Sequence, residues 1–136
     1  MPKELICSAP KKLEWREYQE KPLAAGELRI QSAFTAAKHG TELALYKGYA
    51  AERGAYDSEW GLFIKKDAAP KPGAHGLGNL TVGMVSETGP GVAGYAIGDE
   101  VLTYGGFRQT HTRKAKQDLW GGCWKMPKGV SWKSAV

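Results

Sequence analysis

Histidine and cysteine side chains are the first candidates for chemistry in this chain of 136 residues. Its histidines are His39, His75 and His111, and its cysteines are Cys7 and Cys123. A zinc site needs three or four nitrogen, sulfur or oxygen ligands that converge on the ion at about 2.0–2.3 Å. The sequence holds no histidine pair with helical spacing and no Cys-x-x-Cys pair, so its spacing does not favour zinc. We expect two free thiols, although the sequence alone leaves a disulfide between them open.

His39 lies where the hydrophobic periodicity of the sequence changes from that of a strand to that of a helix. The segment Ala36–Gly48 is rich in helix formers, with Thr41 predicted as the N-cap and Gly48 as the stop. In a cleft at a helix N-terminus, the His39 side chain could donate a hydrogen bond to a substrate carbonyl or relay a proton, because imidazole titrates at about pH 6.5. The competing interpretation is a loop imidazole that is hydrogen-bonded to a backbone carbonyl.

The elements that must position these residues are mostly strands. Two predicted strands, Thr81–Glu87 and Glu100–Tyr104, are joined by a glycine-rich connection that lets the chain reverse and re-enter a sheet. Ser131 is predicted to cap a short helix that starts at Trp132. Four other segments carry apolar residues in strand-like patterns: Lys3–Ser8, Leu13–Tyr18, Glu27–Phe34 and Phe107–Lys114.

Tyr49–Gly78 is the least regular part of the chain. Glycine, proline and charged residues interrupt any helical or strand-like hydrophobic periodicity there. The segment contains one apolar cluster, formed by Trp60, Leu62, Phe63 and Ile64. An irregular stretch of about thirty residues is unusual in a compact domain and is commonly functional. We therefore expect this segment to cover a pocket mouth or to contact a second domain.

The composition is that of one globular domain, with 42% hydrophobic and 24% charged residues. No apolar run approaches the roughly 20 residues of a membrane span, and the amino terminus lacks the apolar core of a secretory signal. We therefore expect a cytoplasmic protein without membrane partners. The net charge of +5 would suit an anionic partner, but the basic residues are scattered and Arg113–Lys116 is their only cluster. Nucleic acid is accordingly not an expected partner.

An ordered set of motifs extends through most of the chain. It runs V-G-x-V-x-E-x-G-x-G-V from Val82, I-G-D-E-V from Ile97, F-R-Q-T-H-T from Phe107 and W-K-M-P-K-G-V-S from Trp124. This order resembles the GroES-like catalytic domain of the medium-chain dehydrogenases/reductases. The resemblance implies a mainly β fold, a GroES-like, partly open barrel with one or two short helices.

In that family a dinucleotide-binding Rossmann domain follows the GroES-like domain. The resemblance therefore makes residues 1–136 the catalytic domain and places the cofactor domain after residue 136. No G-x-G-x-x-G lies between a predicted strand and a predicted helix in this sequence. NAD(P)H would then be bound mainly by the following domain, and residues 1–136 alone would have little or no turnover.

The metal positions of the zinc-dependent members are changed here. Their ligand cysteine, in a C-G-x-D/E run, matches His39 in the run H-G-T-E, and histidine can still bind zinc. Their later G-H-E run matches residues 78–80, where Asn79 is a poor ligand and Leu80 cannot be one. The four-cysteine lobe of many zinc alcohol dehydrogenases has no counterpart. The resemblance thus implies a zinc-independent member, in which hydrogen-bond donors polarise the substrate.

Five residues are candidates for the site, and none of them is predicted to bind a metal. His39 and Thr41 match family positions that act on the substrate and in a proton relay, so they are the predicted catalytic residues. Lys38, Tyr46 and Asn79 are predicted to bind substrate or cofactor. Structural alternatives exist: Thr41 as a helix cap, Lys38 as a solvated cation and Tyr46 as a core residue.

The residues and the resemblance together predict the substrate-side domain of an NAD(P)H-dependent oxidoreductase. Its substrate would be a small molecule with a carbonyl, an alcohol or an activated alkene, which reacts without catalytic zinc. The expected partners are that substrate and the Rossmann domain of the same full-length chain, with a homodimer left open. Alternatives from other classes are a stand-alone GroES-like binding barrel and a nucleic-acid-binding β-barrel.

Overall fold

The computed structural model describes residues 1–48, 55–64, 74–118 and 120–136. Within these ranges it contains ten strands and two helices. The strands are β1 (Lys3–Ala9), β2 (Lys12–Glu17), β3 (Glu27–Ala36), β4 (Ala55–Asp57), β5 (Leu62–Ile64), β6 (His75–Gly76), β7 (Leu80–Thr88), β8 (Glu100–Tyr104), β9 (Thr110–Lys114) and β10 (Trp124–Lys125). The helices are α1 (His39–Lys47) and α2 (Trp132–Ala135).

A five-stranded antiparallel sheet, in the order β10-β8-β7-β3-β9, carries the core. In β3, Leu28 and Ile30 alternate with Arg29 and Gln31 as in a strand, but three consecutive residues are buried in β3 and three in β7, so both faces of the sheet are covered there. Burial of an aliphatic side chain contributes about 1.5–3 kcal/mol, which makes this sheet the stable frame of the domain. The fully buried cluster consists of Leu28, Ile30, Val85, Val101 and Cys123.

The two strands predicted on either side of the glycine-rich connection are confirmed as β7 and β8, which pair antiparallel. Gly83 in β7 lies so close to β3 that a Cβ would stand 2.2 Å from the Gln31 carbonyl oxygen. The pairing register of β3 shifts at this point, between Ser32 and Phe34. Glycine is required at residue 83 because backbone atoms cannot move aside as the end of a side chain can.

The remaining strands form two smaller sheets. β1 pairs with β2 and with β6, and β4 and β5 form a separate hairpin. This hairpin and β6 lie in the segment predicted to be irregular, so that prediction is wrong for residues 55–57, 62–64 and 75–76, while residues 49–54 and 65–73 lie outside the described ranges. The apolar cluster in the hairpin is exposed: Trp60 keeps 71% of its accessible surface and Leu62 keeps 62%.

The sheets are open over the described residues and form no closed barrel, which agrees with the predicted mainly β, partly open GroES-like fold. Helix α1 ends at Gly48 as predicted, with a left-handed φ of 82°. Helix α2 is capped as predicted, since the Ser134 N–H donates to Ser131 Oγ at 3.2 Å. None of the helices in the described part of the chain has the length and apolar character that crossing a membrane requires.

Candidate functional site

Helix α1 carries His39, Thr41 and Tyr46, and its start differs from the prediction. Lys38 is the N-cap, and its carbonyl accepts the backbone N–H groups of Thr41 at 3.0 Å and of Glu42 at 3.1 Å. The N-cap predicted at Thr41 is therefore wrong, because the first helical hydrogen bonds already end on Lys38. Thr41 lies instead in the first turn, where it is exposed.

Lys38, His39 and Asn79 line one cleft of about 380 Å³, termed the polar cleft. Strand pairing explains why residues so distant in sequence meet. Ala36, the last residue of β3, pairs with Leu80, the first residue of β7. Because Lys38 and His39 follow β3 and Asn79 precedes β7, this register brings all three to the same end of the sheet. The other lining residues are apolar: Ala36, Ala37, Leu80 and Val136.

The backbone of Asn79 is held from two sides. Its N–H donates to the Ala36 carbonyl at 3.2 Å, and its carbonyl accepts the Gly105 N–H at 2.9 Å. Asn79 itself is half-buried, whereas Lys38 and His39 are exposed. The cleft thus combines Asn79, whose backbone is fixed by hydrogen bonds, with the exposed side chains of Lys38 and His39, which a ligand can reach.

His39 also lines a second concave surface of about 380 Å³, termed the apolar groove. Of the predicted site residues, Tyr46 lies in this groove and Thr41 lines neither cavity. The two cavities adjoin each other, since His39 and Ala37 line both. The remaining lining residues are mostly aliphatic or aromatic: Leu5, Leu13, Glu42, Leu43, Leu77 and Phe107.

Glu42 links the two sequence segments of the site, a contact that was not predicted. Its Oε1 accepts the Gly78 N–H at 3.2 Å, which ties α1 to the residue before Asn79. Its Oε2 is buried and has no hydrogen-bond partner among the described residues. The sequence signal for this role was only the position of Glu42 in the run H-G-T-E, where it stands one helical turn after His39.

His111 stands between two threonines in a strand-like pattern, which predicts a surface or barrel-end position, but it is buried in β9 with 3% exposure. Burial, together with the positive charges of Arg113 and Arg108, lowers the pKa of His111 to about 3. The ring also fills the space beside Gly105, where a Cβ would stand 2.6 Å from His111 Cε1. This neutral, packed imidazole is a structural residue, whereas His75 is exposed in β6.

Another cavity, of about 460 Å³, is lined largely by charged and polar residues. Arg29 is buried there and donates to the Thr112 hydroxyl and to the Lys21 carbonyl. Arg113 donates to Thr103 Oγ1 at 2.8 Å and to the Thr112 carbonyl at 2.8 Å. These hydrogen bonds connect β3 and β9 to neighbouring segments and give both arginines a structural role, although Arg29 Nε is buried without a hydrogen-bond partner among the described residues.

No group of three or more histidine, cysteine, aspartate or glutamate side chains that could hold a metal ion occurs within residues 1–48, 55–64, 74–118 and 120–136. Cys7 and Cys123 are both free and buried, so the disulfide that the sequence left open does not form. Burial raises the pKa of the Cys123 thiol, which disfavours the thiolate form that binds metals.

D-guloside 3-dehydrogenase of Escherichia coli (strain K12) is 35% identical to the chain over 139 residues. The alignment covers 98% of this chain and 39% of that protein. The chain therefore spans about two fifths of the length of the curated relatives that it matches. No family model matches the chain.

The fold is similar to parts of larger solved structures. The CurK enoyl reductase has a TM-score of 0.69 at 20% identity, over 98% of this chain and 38% of that chain. A mycobacterial protein in complex with NADPH has a TM-score of 0.61 at 16% identity, over 99% of this chain and 35% of that chain. The predicted resemblance to the GroES-like domain of the medium-chain dehydrogenases/reductases is therefore confirmed: the chain is similar to part of a dehydrogenase and has the fold of parts of larger reductases.

Proposed function

We propose that the chain is the substrate-side domain of an NAD(P)-dependent oxidoreductase that acts on an alcohol or a carbonyl group. The observation that carries the proposal is the polar cleft, where Lys38, His39 and Asn79 meet in a chain 35% identical to a D-guloside 3-dehydrogenase. Alcohol oxidation releases a proton and reduction of an activated alkene consumes one, so an exposed imidazole suits both reactions. The relative is named as a dehydrogenase of a sugar derivative, and this favours the alcohol or carbonyl as the substrate.

Oxidation of an alcohol removes a hydride from carbon and a proton from oxygen. A bound nicotinamide supplies the hydride acceptor, so the protein has to take the proton. His39 suits this task because it is exposed in the cleft and an imidazole nitrogen can accept a proton. Asn79 and Lys38 offer N–H donors that stabilise the negative charge on the substrate oxygen while its proton leaves. Thr41, two residues after His39 and exposed, is the proposed hydroxyl of the relay to solvent.

The residues present fit only part of a nicotinamide cofactor site. Lys38 offers an exposed cation for a phosphate, but the sequence lacks the glycine-rich strand-turn-helix unit that holds a pyrophosphate. We propose that a Rossmann domain of the same full-length protein supplies that unit. The greater length of the dehydrogenase relative supports this division. We also propose a cytoplasmic location, which agrees with two cysteines that are free and buried.

The reaction is also proposed to need no catalytic zinc. Asn79 and Leu80 occupy the positions at which zinc-dependent members carry a histidine and a glutamate. Asparagine is a weak zinc ligand and leucine offers no donor atom. Within the described ranges, no group of three potential ligands forms around His39.

The test is hydride transfer by a full-length protein that contains this chain. Reduction of NAD⁺ or NADP⁺ would be followed by absorbance with a panel of glycosides and secondary alcohols. His39→Ala should lower kcat/KM by about 10²- to 10⁴-fold, the usual contribution of a positioned acid or base.

His75→Ala is the matched control, because His75 is exposed in β6 and lies outside both cavities. It should leave kcat/KM within about twofold, as expected for a surface change away from the site. Equal losses in the two variants would count against the proposal. So would turnover restricted to activated alkenes.

A further inference from the structure

We infer that the apolar groove binds an apolar substituent of the substrate, an alkyl chain or an aromatic ring attached to the part that reacts in the polar cleft. The inference rests on the proposed function and names the substrate class. The substrate would thus have two ends of different character, a polar end with the reacting alcohol or carbonyl and an apolar end.

The size and walls of the groove suit such a group. Its volume of about 380 Å³ is more than twice the roughly 150 Å³ of an engineered apolar cavity that binds benzene. It also falls within the range of small-molecule sites. Leu5, Leu77 and Phe107 form aliphatic and aromatic walls, and Tyr46 adds an aromatic ring. An alkyl or aryl group would lose water from its own surface and from these walls.

The one carboxylate in the lining does not oppose this assignment. Glu42 uses Oε1 to accept the Gly78 N–H, and its Oε2 is buried away from solvent. Neither carboxylate oxygen is therefore available to bind water molecules inside the groove. A charged end of a ligand would gain little here, whereas an apolar end meets carbon.

The proximity of the two cavities argues that the occupant is part of the substrate. His39 and Ala37 line both of them, so a group bound in the apolar groove would lie next to a group that reacts in the polar cleft. A molecule of two parts is also what the name of the relative describes, since a guloside is a sugar joined to a second group. The polar sugar would then lie beside Lys38 and Asn79.

Binding of n-alkanols, from butanol to octanol, to the chain tests the groove without any turnover. Each added methylene should tighten binding by about fourfold until the groove is filled. The NMR signals that move should be those of Leu43, Leu77 and the His39 ring. Affinity that does not depend on alkanol length, or signals that move elsewhere, would overturn the inference.

Two leucine-to-glutamate substitutions, one at the rim of the apolar groove and one away from it, provide the matched comparison. Leu43 is 46% exposed on α1, so Leu43→Glu should fold normally and weaken octanol binding by at least about tenfold. Leu62→Glu changes a leucine that is 62% exposed in the β4–β5 hairpin, and it should leave octanol binding unchanged. Equal weakening by both substitutions would overturn the inference. Sedimentation gives a further check: a dimer that Leu43→Glu dissociates would assign the groove to a second copy of the chain instead.

The two proposals fail in different ways. A full-length protein that oxidises alcohols but shows no preference for an apolar substituent overturns the groove assignment and leaves the proposed function standing. A chain that binds alkanols in the groove, in a full-length protein that transfers no hydride, overturns the proposed function instead.

Discussion

The buried His111 should make the stability of the protein depend on pH. Its imidazole is 3% exposed, and burial, with the charges of Arg113 and Arg108, lowers its pKa to about 3. A histidine in the unfolded chain has a pKa of about 6.5. Below that pH the unfolded state binds a proton that the folded state does not, so the free energy of unfolding falls with pH.

The sign and the window follow from these two pKa values. The stabilisation from neutral His111 is fully present above pH 6.5 and is lost as the pH falls towards 3. The slope approaches about 1.4 kcal/mol per pH unit, so a change from pH 7 to pH 5 should lower the free energy of unfolding by about 2 kcal/mol. Hydrogen bonds from Lys125 and Lys116 lower the pKa values of Asp99 and Asp118, so these two carboxylates stay ionised between pH 7 and pH 5.

Denaturant unfolding at pH 7 and pH 5 measures the effect. His111→Gln has a neutral side chain at every pH and should remove most of the difference, whatever its absolute stability. His75→Gln changes an exposed histidine and should retain the difference. Should His111→Gln fold poorly, an NMR titration of the His111 ring in the unaltered protein gives its pKa directly. A ring that takes up its proton above pH 5 in the folded protein would refute the reasoning, as would an equal pH effect in the His111→Gln variant.

Two further predictions concern the frame and the metal. Gly83→Ala should lower the free energy of unfolding by about 3 kcal/mol, because its Cβ would stand 2.2 Å from the Gln31 carbonyl oxygen. Denaturant unfolding measures this loss, with Gly121→Ala as the control variant. A Cβ at residue 121 meets nothing within 4 Å, so this substitution should change the free energy of unfolding by less than about 0.5 kcal/mol. Elemental analysis of the purified full-length protein should find well under one zinc per chain. One zinc per chain, released by His39→Ala, would contradict the zinc-free proposal.

The main strands were predictable because two local signals agree in them. β7 and β8 combine strand-forming residues with a glycine-rich connection, and both were predicted within about two residues of their observed ends, as is usual for boundaries. In the β4–β5 hairpin the local signals do not agree in this way. Leu62, Phe63 and Ile64 are consecutive apolar residues, a pattern without a period that suggests burial, yet all three are exposed. Whether such a run is covered depends on neighbours that local sequence does not reveal.

The meeting of Lys38 and His39 with Asn79 followed from the family resemblance and not from spacing. Nothing in either segment alone indicates the register that pairs Ala36 with Leu80. The burial of His111 was missed for a related reason, because its neighbours in β9 are polar and suggest a wet surface. His111 is covered because β9 pairs with β3, where Ile30 lies opposite it, and this pairing cannot be read from the local sequence.

Close backbone contacts, more than side-chain packing, position the site. A Cβ at Gly78 would stand 2.8 Å from both Gly106 Cα and the Phe107 nitrogen, and one at Gly106 would stand 2.4 Å from the Leu77 carbonyl oxygen. The Phe107 N–H donates to that same Leu77 carbonyl at 2.7 Å. Asn79 therefore projects from a frame that backbone atoms determine. Because backbone atoms make the contacts of this frame, a change of the side chain at residue 79 should alter the chemistry of the cleft while leaving the fold intact.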